Sequence, residues 1–414
     1  MAVGTTVQDV FGNLPEKVAL PAPDNTAAFT NAHIHLPPNF GSIPSVDDAI
    51  RHATEETIAI VGTSNYYDYT IYTTFAKAAV QAGIVPIFGI EVLTMDEGLR
   101  ASDTLVNDPK NPGKFYICGK GLTLFDAIPD DVRPIWQQIR EGDTQRIATM
   151  IGKINAIKLL QQHNIQVTYR EIAATIADEK HVPVETVFLQ ERHLAQALQQ
   201  AICKVVPEAQ LESFLQQLYQ IDGSVEIQDV VKTQNELRTY LLKQGKIAYV
   251  DECYINPEEA AKLITGLGGY VSYPVLIDGA PSVSPFEGPA DALIEHLLER
   301  QIGATEFIPT RNTLEALTTH VKTLREHGFV VGAGTEHNDA TWIPLLPACK
   351  QQTPLTEELV SIFWEGACVA VAHQYLRAKG LDGFRFLPDV SDRKSLIAEL
   401  AELGARIVKS VQAS

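Results

Sequence analysis

The stretch Phe29-Thr-Asn-Ala-His-Ile-His-Leu36 decides how the chain is interpreted, because it predicts a first strand that ends in two histidines. Residues two apart on a strand project from the same face, so His33 and His35 are expected to project together. Neutral imidazole is a common metal ligand, and two imidazoles on one strand need little ordering to hold one ion. In a chain with 11 histidines, two histidines two positions apart can also occur by chance.

Alternating strands and helices follow this first strand. Apolar segments predict strands at 57–62 and 85–92, and helical periodicity predicts helices near 45–55 and 70–82 between them. This β-α-β-α-β order predicts parallel strands joined by right-handed crossovers. Further strands are predicted at 246–251, 269–277, 305–309 and 330–334, and further helices at 290–301, from Asn312 to Gly328, at 355–378 and at 391–411.

The region between these two halves lacks convincing strands and is rich in helix-forming residues. The sequence therefore predicts a barrel-like α/β fold with a helical insertion. The predicted divisions are an N-terminal arm at 1–27, the first half of the barrel at 28–130, the insertion at 131–245, the second half at 246–385, and a C-terminal helix at 386–414.

Composition limits the class of partner. The chain has 414 residues, 51 acidic against 33 basic, and a formal charge of -18, so nucleic acid and anionic membrane surfaces are not expected partners. Five scattered cysteines without a C-x-x-C motif favour a reduced, cytoplasmic protein. No signal peptide and no apolar run long enough to cross a bilayer is apparent. The acidic surface and apolar C-terminal helices are compatible with a homodimer.

Residues able to do chemistry fall at the predicted carboxyl ends of strands, where parallel barrels place their active sites. They are His33, His35, Glu91, Glu306 and the pair Glu336-His337. Such imidazoles and carboxylates suit zinc, manganese or iron. Each also has an ordinary interpretation. Glu91 would serve as a helix cap or surface carboxylate, Glu306 would pair with Arg311, and 336–339 would form a polar turn.

The pattern His33-x-His35, the Gly-x-Glu at Glu91 and the late Gly334-Thr-Glu336 resemble the polymerase-and-histidinol-phosphatase (PHP) superfamily. The stretches 115–121, 191–198 and 309–313 resemble one large branch of PHP-like proteins. The resemblance covers about residues 28–380. It implies a distorted seven-stranded (β/α) barrel that binds up to three divalent metals and hydrolyses phosphate esters.

The sequence departs from the family pattern in its metal ligands. Where the family has an Asp-His pair after the second strand, this chain has Asn65 and Tyr66, with Asp68 nearby as a substitute. Tyr273-Pro274 stands where the family has a His-Pro, and Cys118-Gly-Lys120 has a lysine where relatives often have a histidine. The family's late Asp-x-His is here Glu336-His337-Asn338, so His337 lies one position from the expected place. These departures favour a single ion held by His33, His35, Glu91 and Glu336 or His337, or no ion at all.

The resemblance implies a metal-dependent hydrolase, most simply a phosphoesterase that uses a metal-activated water on a small anionic, phosphorylated substrate. Lys120, Arg192 and Arg311 would bind the anion, and His337 or His193 would protonate the leaving oxygen. On periodicity alone, Arg192 and His193 would lie on a solvated helix face. Two alternatives remain open: a metal-depleted barrel that binds a small ligand without catalysis, and a metal-dependent aldolase or isomerase.

Overall fold

The structure, a computed structural model, describes residues 3–23 and 26–413. The described residues leave out 1–2 and 24–25, which belong to the predicted arm, and 414, which belongs to the predicted C-terminal helix. The strands are β1 Phe29–Ile34, β2 Ile58–Thr63, β3 Val85–Ile87, β4 Gly89–Met95, β5 Lys114–Lys120, β6 Tyr270–Val275, β7 Ala304–Phe307, β8 Val330–Ala333, β9 Ala348–Cys349 and β10 Thr353–Pro354.

Helices occupy most of the remaining chain. In order they are α1 Thr5–Val7, α2 Val46–Glu55, α3 Ile71–Gln81, α4 Glu97–Ala101, α5 Arg133–Asn155, α6 Lys158–Gln162, α7 Tyr169–Lys180, α8 Glu191–Val205, α9 Glu208–Tyr219, α10 Val230–Leu237, α11 Pro257–Gly266, α12 Ala290–Glu299, α13 Leu314–Glu326, α14 Glu357–Ala378 and α15 Val390–Gln412. Single turns of 3₁₀- or π-helix lie at Gln8–Gly12, Lys17–Ala19, Val184–Thr186, Arg238–Leu242, Ile277–Gly279, Pro309–Arg311 and Lys350–Gln352.

The first sheet is parallel, as the alternating pattern predicts. Its order is β1-β2-β3, with α2 and α3 as the crossovers. Ser45 caps α2 by accepting a hydrogen bond from the backbone N–H of Asp48, which satisfies one of the unpaired donors of the first turn. The carboxyl end of β1 therefore lies beside that of β2, and this edge carries the two histidines.

The second sheet has the order β4-β5-β6-β7-β8 and is only partly parallel. β4 pairs antiparallel with β5, and β5 antiparallel with β6, whereas β6-β7 and β7-β8 are parallel. The parallel barrel predicted from the sequence is therefore wrong at β4-β5-β6: no strand was predicted at 114–120, and the single strand predicted at 85–92 is divided into β3 and β4, which belong to different sheets. The connection from β4 to β5 has only the five-residue α4, and antiparallel strands need no long crossover helix.

Backbone hydrogen bonds join the two sheets beside the histidines. The N–H groups of Thr335 and Glu336, just after β8, donate to the carbonyl of His33, and the N–H of His35 donates to the carbonyl of Glu336. Gly334 makes this approach possible, because a Cβ there would lie 2.4 Å from the Cβ of His33 and 2.7 Å from its backbone nitrogen. The mixed α/β class is confirmed, but neither sheet closes on itself.

Buried apolar side chains of the described residues form two clusters. One joins the strands to α2, α3 and α11–α15, and the other lies within 147–248, where α5–α10 pack on one another. Residues 133–242 form helices and loops without strands, as predicted. The strand predicted at 246–251 is wrong: Ile247 is 58% exposed there, so the alternating residues do not face a core. The domain limits stay a prediction.

Two details of the helices differ from expectation. α13 begins at Leu314 with Thr313 as its cap, rather than with Asn312, because the Thr313 hydroxyl accepts from the N–H of Ala316. α14 is long and apolar enough to cross a membrane by length and composition, contrary to the expectation from the sequence. However, 78% of its apolar window is buried inside the protein, as in the core helix of a globular fold.

Candidate metal centre

His33, His35 and Glu91 meet at the edge where the two sheets join. The ring centres of the two histidines are 5.2 Å apart, and Glu91 Oε2 lies 3.2 Å from His35 Nε2 and 3.6 Å from His33 Nε2. All three side chains are buried. Glu91 arrives from β4, the strand that starts two residues after β3 ends, so the crossing between sheets at Phe88 brings its carboxylate to the histidines.

Several polar atoms of this group have no hydrogen-bond partner among the described residues. They are His33 Nε2, His35 Nδ1, His35 Nε2 and Glu91 Oε2. Ligand atoms of the three side chains lie within 4.8 Å of one another. Unpaired buried polar atoms are costly unless something binds them. Two imidazoles and one carboxylate are a donor set that zinc, manganese and iron accept, so these residues fit a divalent cation.

The charges of the group favour a bound cation. Burial opposes ionisation of Glu91, but the adjacent imidazoles of His33 and His35 hold the pKa of Glu91 well below its ordinary value. Burial also opposes charging of His33, but the carboxylate of Glu306 raises the pKa of His33 to about 9. Without another cation, the carboxylates thus keep a proton on this imidazole, and a metal ion would compete with that proton.

Glu306 lies on the other side of His33 and is paired with an ammonium group. Its Oε2 is 3.2 Å from His33 Nδ1 and 2.7 Å from Lys120 Nζ. Lys120 also donates to the carbonyl of Ala32 and to the Ser64 hydroxyl, so its three protons have three acceptors. Burial opposes ionisation of Glu306, but Lys120 and His33 lower its pKa to about 2. The alternative pairing of Glu306 with Arg311 is therefore wrong.

A second group of ligand-type atoms shares His33. Cys118, on β5, lies with His33 and Glu306 so that their ligand atoms are within 4.8 Å of one another. The same carboxylate already contacts the Lys120 ammonium, which supplies positive charge at this place. Lys120 was predicted as an anion binder, but its contacts make it the charge partner of Glu306.

Asn65, Tyr66 and Asp68, which follow β2, have structural contacts. Asn65 bonds through its amide to the backbone N–H and carbonyl of Leu36. Asp68 forms an ion pair with Arg140 at 2.8 Å and so does not swing toward the histidines. Tyr66 stacks on His35 at 5.3 Å and donates its hydroxyl to Glu91 Oε1 at 3.1 Å. Its direct contact with both proposed ligands was not foreseen.

Glu336 and Arg311 lie at the rim of the site. Their side chains form an ion pair, and Asn338 Nδ2 donates to Glu336 Oε1 at 2.7 Å. Glu336 and His337 both have left-handed backbone angles, with φ of 65° and 60°, which is costly for residues with side chains and is typical of functional loops. Glu336 is not within the ligand-atom group of His33, His35 and Glu91.

The two predicted proton donors have other contacts. His337 Nδ1 lies 3.0 Å from the Ser42 hydroxyl, and burial lowers the pKa of His337 to about 4. His193 takes part in the cap of α8, where its Nδ1 accepts the backbone N–H of Gln190, and burial lowers its pKa to about 3. Both imidazoles are therefore neutral near pH 7, which is the wrong state for an acid.

A cavity of about 360 Å³ opens onto this site. We call it the histidine cavity. Its lining includes His33, Tyr66, Glu91, Arg311 and Glu336, whereas Lys120, His193 and Arg192 are not among the described residues that line it. Arg192 instead pairs with Asp339 at 3.3 Å. The structure thus brings together His33, Glu91, Glu336 and Arg311 around one space, and His35 contacts Glu91 without being among the described residues that line the cavity.

Comparison with solved structures shows a related fold. The chain is similar to an amidohydrolase from Chromobacterium violaceum, with bound sulfate and no metal, at 15% identity and a TM-score of 0.50 over 81% of this chain and 96% of that chain. It is also similar to a proposed metal-dependent phosphoesterase from Bifidobacterium adolescentis, at 12% identity and a TM-score of 0.51 over 82% of this chain and 96% of that chain. No protein-family model matches the sequence, and no curated protein gives a significant match.

Proposed function

We propose that this protein is a metal-dependent hydrolase, and most simply a phosphoesterase that acts on a small phosphorylated molecule in the histidine cavity. The observation that supports it is the convergence of four unpartnered buried atoms from His33, His35 and Glu91. The likeness in fold to the phosphoesterase and the amidohydrolase supports the same class. The proposal includes the distorted seven-stranded barrel that the resemblance to PHP proteins implies.

His33, His35 and Glu91 would hold one divalent ion of zinc, manganese or iron. Such an ion supplies positive charge that polarises water and a phosphoryl oxygen. Glu306 accepts the Nδ1 proton of His33, which leaves Nε2 to face Glu91 and His35, the orienting arrangement that metal-binding histidines commonly have. The Tyr66 hydroxyl holds Glu91 Oε1 in the same way, which leaves Oε2 toward the imidazoles.

Arg311 would bind the phosphate. Its guanidinium lines the histidine cavity, is 40% exposed and is paired with Glu336. A planar guanidinium fork matches two oxygens of a phosphate group and stabilises charge that develops on them. The paired carboxylate fixes the guanidinium at the cavity wall, so a substrate phosphate meets an ordered cation.

Metal analysis combined with turnover tests this function. We expect about one divalent ion per chain after reconstitution, and hydrolysis of p-nitrophenyl phosphate that chelation abolishes. His35→Ala should remove both, with a larger effect than the roughly 10- to 100-fold loss in metal affinity that outer-shell substitutions cause. His327→Ala, at an exposed helix end, is the matched control and should retain both.

Other outcomes separate the alternatives. Stoichiometric metal without turnover of any phosphoester or amide would favour ligand binding or a lyase or isomerase reaction. Amides belong in the substrate panel because one structural neighbour is an amidohydrolase. A protein that neither binds nor is stabilised by zinc, manganese or iron would contradict the proposal.

A further inference from the structure

A second cavity, of about 550 Å³, lies between the strands and the helical region at 133–242. We call it the insertion cavity. It adjoins the histidine cavity, since five described residues line both: Tyr66, Asp108, Pro109, Tyr116 and Asn338. One of the five, Tyr66, touches the proposed ligand Glu91 directly. A ligand that fills the histidine cavity can therefore extend into the insertion cavity.

The insertion cavity is rich in cationic side chains. Its described lining contains six lysines and arginines against four aspartates and glutamates, although the whole chain has a charge of -18. Lys114 is neutralised locally by Asp108 at 3.2 Å and Glu252 at 2.6 Å. Of the other five lining cations, Lys110 is exposed, and four come from the helical side of the cavity: Arg146, Arg192, Arg238 and Lys243.

Three of these four cations share one carboxylate. Glu191 Oε1 is 2.9 Å from Arg238 Nε and 2.8 Å from Lys243 Nζ, and Glu191 Oε2 is 3.4 Å from Arg146 Nη2. Arg146 has a second partner in Asp143 at 3.3 Å. One carboxylate cannot neutralise Arg238 and Lys243 together, so a positive charge is left over at this wall.

Arg192 is a fourth cation at this wall, and it is paired with a carboxylate that does not line the cavity. Its side chain is three-quarters buried, and its ion-pair partner Asp339 lies on the exposed side. Burial lowers the pKa of Arg192, and repulsion from Arg238 lowers it further. Half-buried cations that repel one another are costly for the free protein, and an anion placed between them relieves that cost.

We propose that the insertion cavity is a subsite for a second anionic group of the substrate, bound by Arg192, Arg238 and Lys243. This inference rests on the proposed function for its role in catalysis. It narrows the substrate class to small molecules with a scissile phosphoester at one end and a phosphate or carboxylate at the other. None of these three cations contacts the proposed metal ligands, so the two ends are recognised by separate sets of residues.

Calorimetric titration of the full-length, EDTA-treated protein with inorganic pyrophosphate tests the subsite without any metal. We expect binding that Arg192→Gln/Lys243→Gln weakens at least tenfold. The matched control Lys158→Gln/Lys232→Gln removes the same charge from exposed helical positions outside the insertion cavity and should bind as the wild type does. No binding by the wild type, or equal weakening by both double variants, would overturn the subsite.

Kinetics with a matched pair of substrates tests its role. The metal-loaded enzyme should prefer 1,6-hexanediol bisphosphate over hexyl phosphate, and Arg192→Gln/Lys243→Gln should lower the ratio of the two kcat/KM values at least tenfold. An unchanged ratio would overturn the role in substrate selection. If His35→Ala loses metal binding and the apo double variant loses pyrophosphate, both proposals hold. If metal binding fails but pyrophosphate binding maps to these cations, only the proposed function fails.

Discussion

The two sides of His33 differ in how a buried carboxylate is compensated. On the Nδ1 side, Glu306 contacts the Lys120 ammonium at 2.7 Å, and the three ammonium protons all have acceptors. On the Nε2 side, Glu91 faces His33 Nε2 and the His35 ring, and neither His33 Nε2 nor either nitrogen of His35 has a hydrogen bond among the described residues. One side contains the protein's own cation, although Glu306 Oε1 has no hydrogen bond among the described residues, and the other side has the same kinds of ligand atoms without an internal cation.

This difference indicates where a cation is needed from outside the chain. A buried carboxylate is stable only when paired, and the protein provides a lysine at one of two neighbouring positions. The contact with Glu306 also fixes the ring of His33, so His33 Nε2 is already oriented toward Glu91. Four experiments test this contrast, from the largest expected effect to the smallest.

Removing the internal cation should be the most damaging change. Lys120→Met removes the ammonium partner of the buried Glu306 and leaves it only the contact with His33, and we expect a loss of about 3–5 kcal/mol in the free energy of unfolding, measured by chemical denaturation. The double variant Lys120→Met/Glu306→Gln should recover part of that loss. Lys17→Met, which breaks the exposed pair with Glu399, is the control and should cost less than about 1 kcal/mol. A cost this small for Lys120→Met would remove the contrast between the two sides.

Adding the external cation should stabilise the Nε2 side of His33. At a metal concentration of about 100 times the dissociation constant, we expect about 2.7 kcal/mol of added stability, seen as a rise in Tm against EDTA-treated protein. His35→Ala should abolish the rise. His373→Ala is the control, because that buried imidazole bonds to the Gly268 carbonyl at 2.8 Å and its loss should leave the metal-induced rise intact. Equal rises in wild type and His35→Ala would place the ion elsewhere.

His193 is a buried histidine whose Nδ1 has a hydrogen bond within the protein, in contrast to His35, so it tests whether such a histidine acts on stability alone. Burial lowers its folded pKa to about 3, below the ordinary 6.5, so its stabilising effect is complete above pH 6.5 and is lost as the pH falls toward 3. At pH 5 the expected loss is about 2 kcal/mol relative to pH 7.5. His193→Gln, which retains a capping side chain, should remove this part of the pH dependence without changing metal content. Unfolding curves at both pH values measure it, and an identical pH dependence in the two proteins would contradict the assignment.

The smallest effect is expected at the hydroxyl of Tyr66. Tyr66→Phe removes the donor to Glu91 Oε1, and we expect metal affinity to fall about tenfold. Tyr69→Phe is a close control, since the Tyr69 hydroxyl is buried without a hydrogen-bond partner among the described residues and its removal should leave metal affinity unchanged. Competition with a coloured chelator measures both. Equal affinities would show that the hydroxyl does not orient the carboxylate.

The sequence predicted the elements whose information is local. The strand at His33 and His35 and the strand before Glu91 follow from apolar periodicity. The antiparallel pairing of β4-β5-β6 was missed, because it depends on how a short connection folds back. The Lys120–Glu306 pair was also missed, since its members are 186 positions apart and nothing in their local patterns links them. Arg238 and Lys243 look like ordinary solvated helix residues until the fold brings Glu191 between them.

Gly334 has a consequence for altering the metal preference of this protein. Just after β8, the chain packs closely against the backbone of His33, and the residue at this contact is Gly334, which has no side chain. An alanine there would displace the first strand and shift both imidazoles together, although it would touch no nitrogen that binds an ion. A search for variants that favour a larger or smaller cation therefore has a starting point outside the ligand set, where a single methyl group acts as a spacer between two backbones.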